Sequence, residues 1–152
     1  MDTSVPSQRD QHLDEIAAAL PRRANTLARL FRVHTSVQAT RTEMGVIAIL
    51  DEGPRRITEL AAAEGVTQPA MTLVVNRLEE RGWVARRPDP TDARAVLAAL
   101  TPAGRRVIEQ MRVEYRALVH EEMASLSDDD VAALSRAVEV LDQLIERLKE
   151  RP

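Results

Sequence analysis

Apolar side chains recur along this chain at helical spacing, and the places where the rhythm fails divide it into segments. Leu13, Ile16 and Leu20 form one stripe, and Leu27, Leu30, Phe31, His34 and Val37 form a second. Together they predict a long helix reaching about Gln38, broken or restarted at Pro21. A further helix is expected from about Thr42 to Leu50, and Asp51-Glu52-Gly53-Pro54 is the clearest internal break. Met71, Val74, Val75 and Leu78 then follow the i, i+3, i+4, i+7 pattern of a buried helical face. Thr101 and Pro102 open another helix with a stripe through Val107, Ile108, Met111, Leu118 and Val119. Last come Val131, Leu134, Val138, Leu141, Ile145 and Leu148, three or four residues apart, a seam of nearly three heptads. Ser127 followed by Asp128, Asp129 and Asp130 starts that helix, with a capping hydroxyl and carboxylates that complement its dipole.

The middle of the chain carries the most specific turn chemistry. Thr58 is expected to cap a short helix, with Glu59 in its first turn. Gly65 stands where that helix must stop in a left-handed conformation, and Val66 is expected to plug the corner. Thr67 caps the next helix, and Pro69 falls in its first turn, where no backbone N–H is missed. With Met71, Val74, Val75 and Leu78 inward, the opposite face presents Pro69, Thr72, Leu73, Asn76 and Arg77, with Gln68 and Ala70 at its start. A short apolar strand beginning at Trp83, a proline-broken loop and a second apolar run ending at Leu100 read as a two-stranded hairpin. Its tip is cationic, with Arg86, Arg87 and Arg94. Helix, turn, helix and hairpin make a shape that enters one groove of DNA and touches the next. Asn76 is expected to pair with adenine, and Leu73 or Ala70 to touch a thymine methyl.

At these residues the chain resembles the MarR family of winged helix-turn-helix transcription regulators. The resemblance runs through Ile57-Thr58-Glu59-Leu60-Ala61, Val75-Asn76-Arg77-Leu78-Glu79-Glu80-Arg81-Gly82, Arg86-Arg87-Pro88-Asp89-Pro90-Thr91-Asp92-Ala93-Arg94 and Leu100-Thr101-Pro102-Ala103-Gly104. It is strong from about residue 42 to residue 112, and elsewhere extends to layout only. It implies that Arg94 enters the minor groove and that Asp92, two residues earlier, holds it. It departs at Leu73, where many members carry a basic residue. The expected fold class is mainly α with a small β-hairpin: a winged helix-turn-helix domain over 41–100, flanked by dimerisation helices at 10–40 and 101–152, after a disordered tail at 1–9. The resemblance implies a homodimer joined through Leu13, Ile16, Leu20, Val131, Leu134, Val138, Leu141, Ile145 and Leu148. Its partner would be a pseudo-palindromic double-stranded operator. The expected activity is transcriptional repression relieved by a small-molecule effector, with a protein-interaction module as the alternative.

Composition changes this picture in two places. The net charge of −3 seems unsuited to a nucleic-acid partner until it is divided along the chain. Residues 107–152 carry 6 basic and 11 acidic side chains, whereas residues 55–106 carry 9 and 6. Local potential, not total charge, governs groove contact. The absence of cysteine removes both disulfides and a thiol sensor. With no apolar run long enough for a bilayer and no signal peptide expected, the anticipated compartment is the cytoplasm, with no membrane partner.

Catalytic chemistry has little to stand on. His12, His34 and His120 lie far apart without metal-ligand spacing, and no glycine-rich phosphate loop occurs among five glycines. Neither enzyme activity, cofactor nor metal is expected. An effector, aromatic or anionic, would find only Phe31, Trp83 and Tyr115 for stacking, with Arg22, Arg23, His34 and Arg41 as candidate cations.

Overall fold

Short local hydrogen-bond devices decide where each element of the computed structural model begins and ends, and it describes residues 7–92 and 95–151. Helix α1 spans Gln8–Val33 and starts with a reciprocal cap: the Ser7 hydroxyl accepts from Asp10 N–H, and Asp10 returns a bond to Ser7 N–H. It therefore begins inside the stretch expected to be a tail and stops short of Gln38. Pro21 lies within it and does not break it. A helical proline removes the bond to the carbonyl four residues earlier, here Ala17. Water can satisfy that carbonyl because α1 has no buried residue among those described.

Helix α2 (Arg41–Asp51) has the same reciprocal start, with Thr40 Oγ1 accepting from Glu43 N–H and Glu43 Oε2 accepting from Thr40 N–H at 2.8 Å. Strand β1 is only Arg55–Arg56. Helix α3 (Ile57–Glu64) follows it at once, so the N-cap is Arg56, two residues earlier than Thr58: Arg56 N–H donates to Glu59 Oε2 at 2.7 Å. Gly65 ends α3 at φ 64°, and Val66 N–H reaches back to the Ala61 carbonyl while its side chain packs on the core. Helix α4 (Gln68–Glu80) is capped by Thr67 and carries its proline in the first turn. Strands β2 (Val84–Pro88) and β3 (Val96–Leu100) form the hairpin.

The sheet has three strands in the order β1-β3-β2, all antiparallel. The two-stranded expectation fails at β1, whose Arg55 and Arg56 pair with Ala98 and Leu97. One core holds these pieces together: Val46, Ile47 and Leu50 of α2, Leu60 of α3, Met71, Val74, Val75 and Leu78 of α4, Val84, Ala98 and Leu100 of the sheet, and Ile108. Ile108 lies on α5 (Pro102–Met123). Two polar ties hold the first part of α5. Arg112 donates to Asp51 at 2.6 Å. Glu114 accepts from the Ser36 and Thr35 hydroxyls, from Ser36 N–H at 2.9 Å and from Gln110, which holds its carboxyl down to about 2.

The chain divides into two compact units between Glu114 and Tyr115. In the second, α6 (Asp128–Lys149) starts at Ser127, whose hydroxyl accepts from Asp130 N–H at 3.2 Å. No residue of α6 is buried.

Candidate nucleic-acid interface

The core decides which face of α4 is left outside. Met71, Val74, Val75 and Leu78 are buried, so Gln68, Pro69, Ala70, Leu73 and Arg77 are exposed and Thr72 and Asn76 are half-buried. Thr72 turns its hydroxyl back to the Gln68 carbonyl at 3.0 Å. Leu73 is 59% exposed in the middle of this face, a large apolar side chain with no core to join. The start of this face carries no charge.

The cations around that face are mostly engaged by carboxylates. Arg77 donates from Nε to Glu43 Oε1 at 3.0 Å, and Arg81 lies 3.9 Å from the other oxygen. Glu43 is 1% exposed. Burial pushes its carboxyl up, but the Thr40 N–H, Arg77 and Arg81 outweigh burial and leave it below the ordinary value. Arg86 meets Glu79 through both its backbone N–H, at 3.1 Å, and its guanidinium. A second guanidinium nitrogen donates to Asn76 Oδ1 at 2.8 Å. The carboxylate that holds Arg86 thus comes from α4 and not from the wing. Arg87 is exposed and has no ion-pair partner among the described residues. It borders a shallow groove with Pro54, Pro88, Pro90 and Leu97.

A buried carboxylate builds the base of the wing. Asp89 is 8% exposed and accepts from Thr91 N–H at 2.8 Å, from the Thr91 hydroxyl at 2.6 Å and from Arg56 at 2.7 Å. Thr91 and then Arg56 hold its carboxyl well below the usual aspartate range. Asp92 also lies against Arg56, at 3.4 Å. Asp89 N–H to the Ala95 carbonyl and Ala95 N–H to the Asp92 carbonyl close the loop. Ala93 and Arg94 lie outside the described residues.

Sequence reasoning missed Glu43, Arg56, Glu79 and Asp89. Two had a local signal. Thr40-x-x-Glu43 is a capping box, and Asp89-Pro90-Thr91 has the composition of an Asx turn. The proposed dimer residues are each exposed within their own helices, save Leu20 and Leu141, which are half-buried.

The comparisons with known proteins fall on the same segment. The MarR family model matches residues 40–96. The multiple antibiotic resistance protein MarR of Salmonella typhimurium is 38% identical over 77 residues, which are 50% of this chain and 54% of that protein. The chain thus spans about half the length of those curated relatives. An uncharacterized HTH-type transcriptional regulator of Mycobacterium leprae is 30% identical over 98 residues, 64% of this chain and 68% of the relative. Wild-type MarR of Escherichia coli in its apo form is similar in structure, with a TM-score of 0.70 at 26% identity, covering 83% of this chain and 96% of that one.

Proposed function

The chain belongs to the MarR family, and on that premise we propose that it is a transcription regulator that binds a specific double-stranded operator as a homodimer. The observation that carries this reading is the face of α4. Its exposed Ala70 and Leu73, with Asn76 beside them, are side chains that read base edges. Arg87, exposed on β2, is assigned to the backbone of the flanking groove, and Arg86 stands beside Asn76 at the edge of the same face. We infer regulation by binding and not by catalysis, since members of the family act on transcription.

The dimer reading rests on exposed apolar stripes. Leu13 and Ile16 of α1, and Val131, Leu134, Val138, Ile145 and Leu148 of α6, are each large apolar side chains left in solvent by their own unit. A second copy would cover them and set two recognition helices roughly 34 Å apart, one helical turn of DNA. Leu141→Asp, inside the α6 stripe, is expected to convert the dimer to monomer in sedimentation-equilibrium runs. A variant that still sediments as a dimer would remove α6 from the interface.

Release by an aromatic or anionic small molecule completes the proposal. A hundredfold loss of DNA affinity requires the effector to favour the unbound state by about 2.7 kcal/mol. The experiment that tests the core reading is a fluorescence-anisotropy titration against the chain's own upstream DNA and a scrambled duplex, at two salt concentrations. Tight binding to the first alone is expected; binding to neither would favour protein interaction instead. Arg94→Ala, assigned to the minor groove by resemblance, is expected to weaken operator binding by about 1–3 kcal/mol. Affinity unchanged at fixed salt would remove Arg94 from the contact.

A further inference from the structure

We propose that Glu79 sets the base preference of Asn76, acting through Arg86; the proposal rests on the DNA-binding reading above. Glu79 and Asn76 are three residues apart on α4, so they share one side of the helix, and Arg86 of β2 lies against both. Glu79 fixes Arg86 at two points, its backbone N–H and its guanidinium, and a charge-assisted pair of this kind is both strong and directional. The guanidinium so fixed donates to the Asn76 side chain at 2.8 Å.

That bond has a chemical consequence. Arginine carries donors only, so the amide must turn its oxygen inward toward Arg86. Its oxygen keeps a second lone pair but is turned to Arg86, so what Asn76 directs toward a ligand is the Nδ2 group with its two N–H donors. An unconstrained asparagine reads adenine with both halves, accepting from N6 and donating to N7. Held by Arg86, Asn76 donates only. It pairs with an acceptor on the major-groove edge, which guanine, adenine and thymine all offer, and it meets a donor at cytosine N4. The Glu79–Arg86 pair thus turns a residue type that selects adenine into one that excludes cytosine. Glu79 is a positioning residue here and touches no base itself.

The test uses the full chain and a duplex carrying its operator. Asn76→Ala first locates the contacted base pair, as the position whose base preference it abolishes. There the wild-type chain is expected to bind adenine, guanine and thymine within a few-fold of one another, and cytosine about tenfold more weakly. Glu79→Gln keeps an acceptor for the Arg86 N–H but loses the charge that holds the guanidinium. The amide then rotates, the cytosine penalty falls to about threefold or less, and adenine rises above guanine and thymine. A purely structural loss would lower all four affinities together. An identical four-base profile in Glu79→Gln overturns the proposal. So does a wild-type preference for adenine that needs both N6 and N7, or an Asn76→Ala variant that alters preference nowhere. A second readout needs no DNA: Arg86 guanidinium protons exchange slowly with water in the wild-type chain and fast in Glu79→Gln, by NMR. Equal exchange in the two proteins overturns the relay while leaving the DNA reading intact. A wild-type chain that binds no duplex ends both.

Discussion

Arg77→Met is expected to destabilise the fold by about 2–4 kcal/mol near neutral pH and to weaken its pH dependence. Glu43, 1% exposed, accepts from Thr40 N–H at 2.8 Å and from Arg77 at 3.0 Å, with Arg81 at 3.9 Å. In the native chain its carboxyl titrates below the ordinary 4.5. A group lowered in this way contributes stability above its unfolded value, and loses it as pH falls toward the folded one. Remove Arg77 and burial, already the largest influence, is offset only by the Thr40 bonds and by Arg81, which is too far to replace a direct bond. The folded carboxyl then moves up from its lowered value, so less stability is gained as pH rises and the pH dependence flattens. Breaking a buried pair typically costs about 3–5 kcal/mol, and the remaining Thr40 bond and Arg81 reduce that figure. Arg77 itself is 50% exposed and loses little by its release in the converse variant, Glu43→Gln. Urea unfolding at pH 4, 5.5 and 7.5 separates the cases. A wild-type-like slope in Arg77→Met would mean that Arg81 moves in to take the bond.

Gly104→Ala is expected to lower the melting temperature by roughly 10 °C, about 2–4 kcal/mol for a domain of this size. A Cβ at residue 104 would lie 2.1 Å from the Trp83 carbonyl oxygen and 3.0 Å from Leu100 Cδ2. The carbonyl is not free to turn aside, since Thr101 N–H donates to it at 3.0 Å. The first turn of α5 must therefore move out, and with it Ile108, which is buried in the core. Replacing glycine by alanine in a helix returns about 1 kcal/mol, too little to offset the displacement. Thermal melting followed by circular dichroism gives the answer. An unchanged transition would show that α5 slides without losing its packing.

Caps, stops and apolar stripes were legible in the sequence because they are local. Thr67, Gly65 and Ser127 act where their residue types place them, and the α4 stripe is the buried face. Pro21 misled because its usual disruption assumes a buried or crowded carbonyl, and α1 supplies an exposed one. Strand β1 was invisible for the opposite reason. Two arginines carry no alternation, and their strand character comes only from pairing with Leu97 and Ala98, about forty residues on. The charged residues of the site were legible as charges, not as pairs. Nothing near Glu43 in the chain names Arg77 as its partner, and nothing near Asp89 names Arg56. Arg77 and Arg86 were therefore expected to reach for DNA, with only the surrounding carboxylates to show how they are held.

Trp83 is the single tryptophan of the chain, half-buried where α4, the wing and the start of α5 converge, with the Arg81 guanidinium 4.9 Å from its ring. Its indole emission has no second source to blur it. Colour and quenching will follow the polarity of that one junction. The molecule thus carries a native optical gauge at the junction of α4, the hairpin and the start of α5.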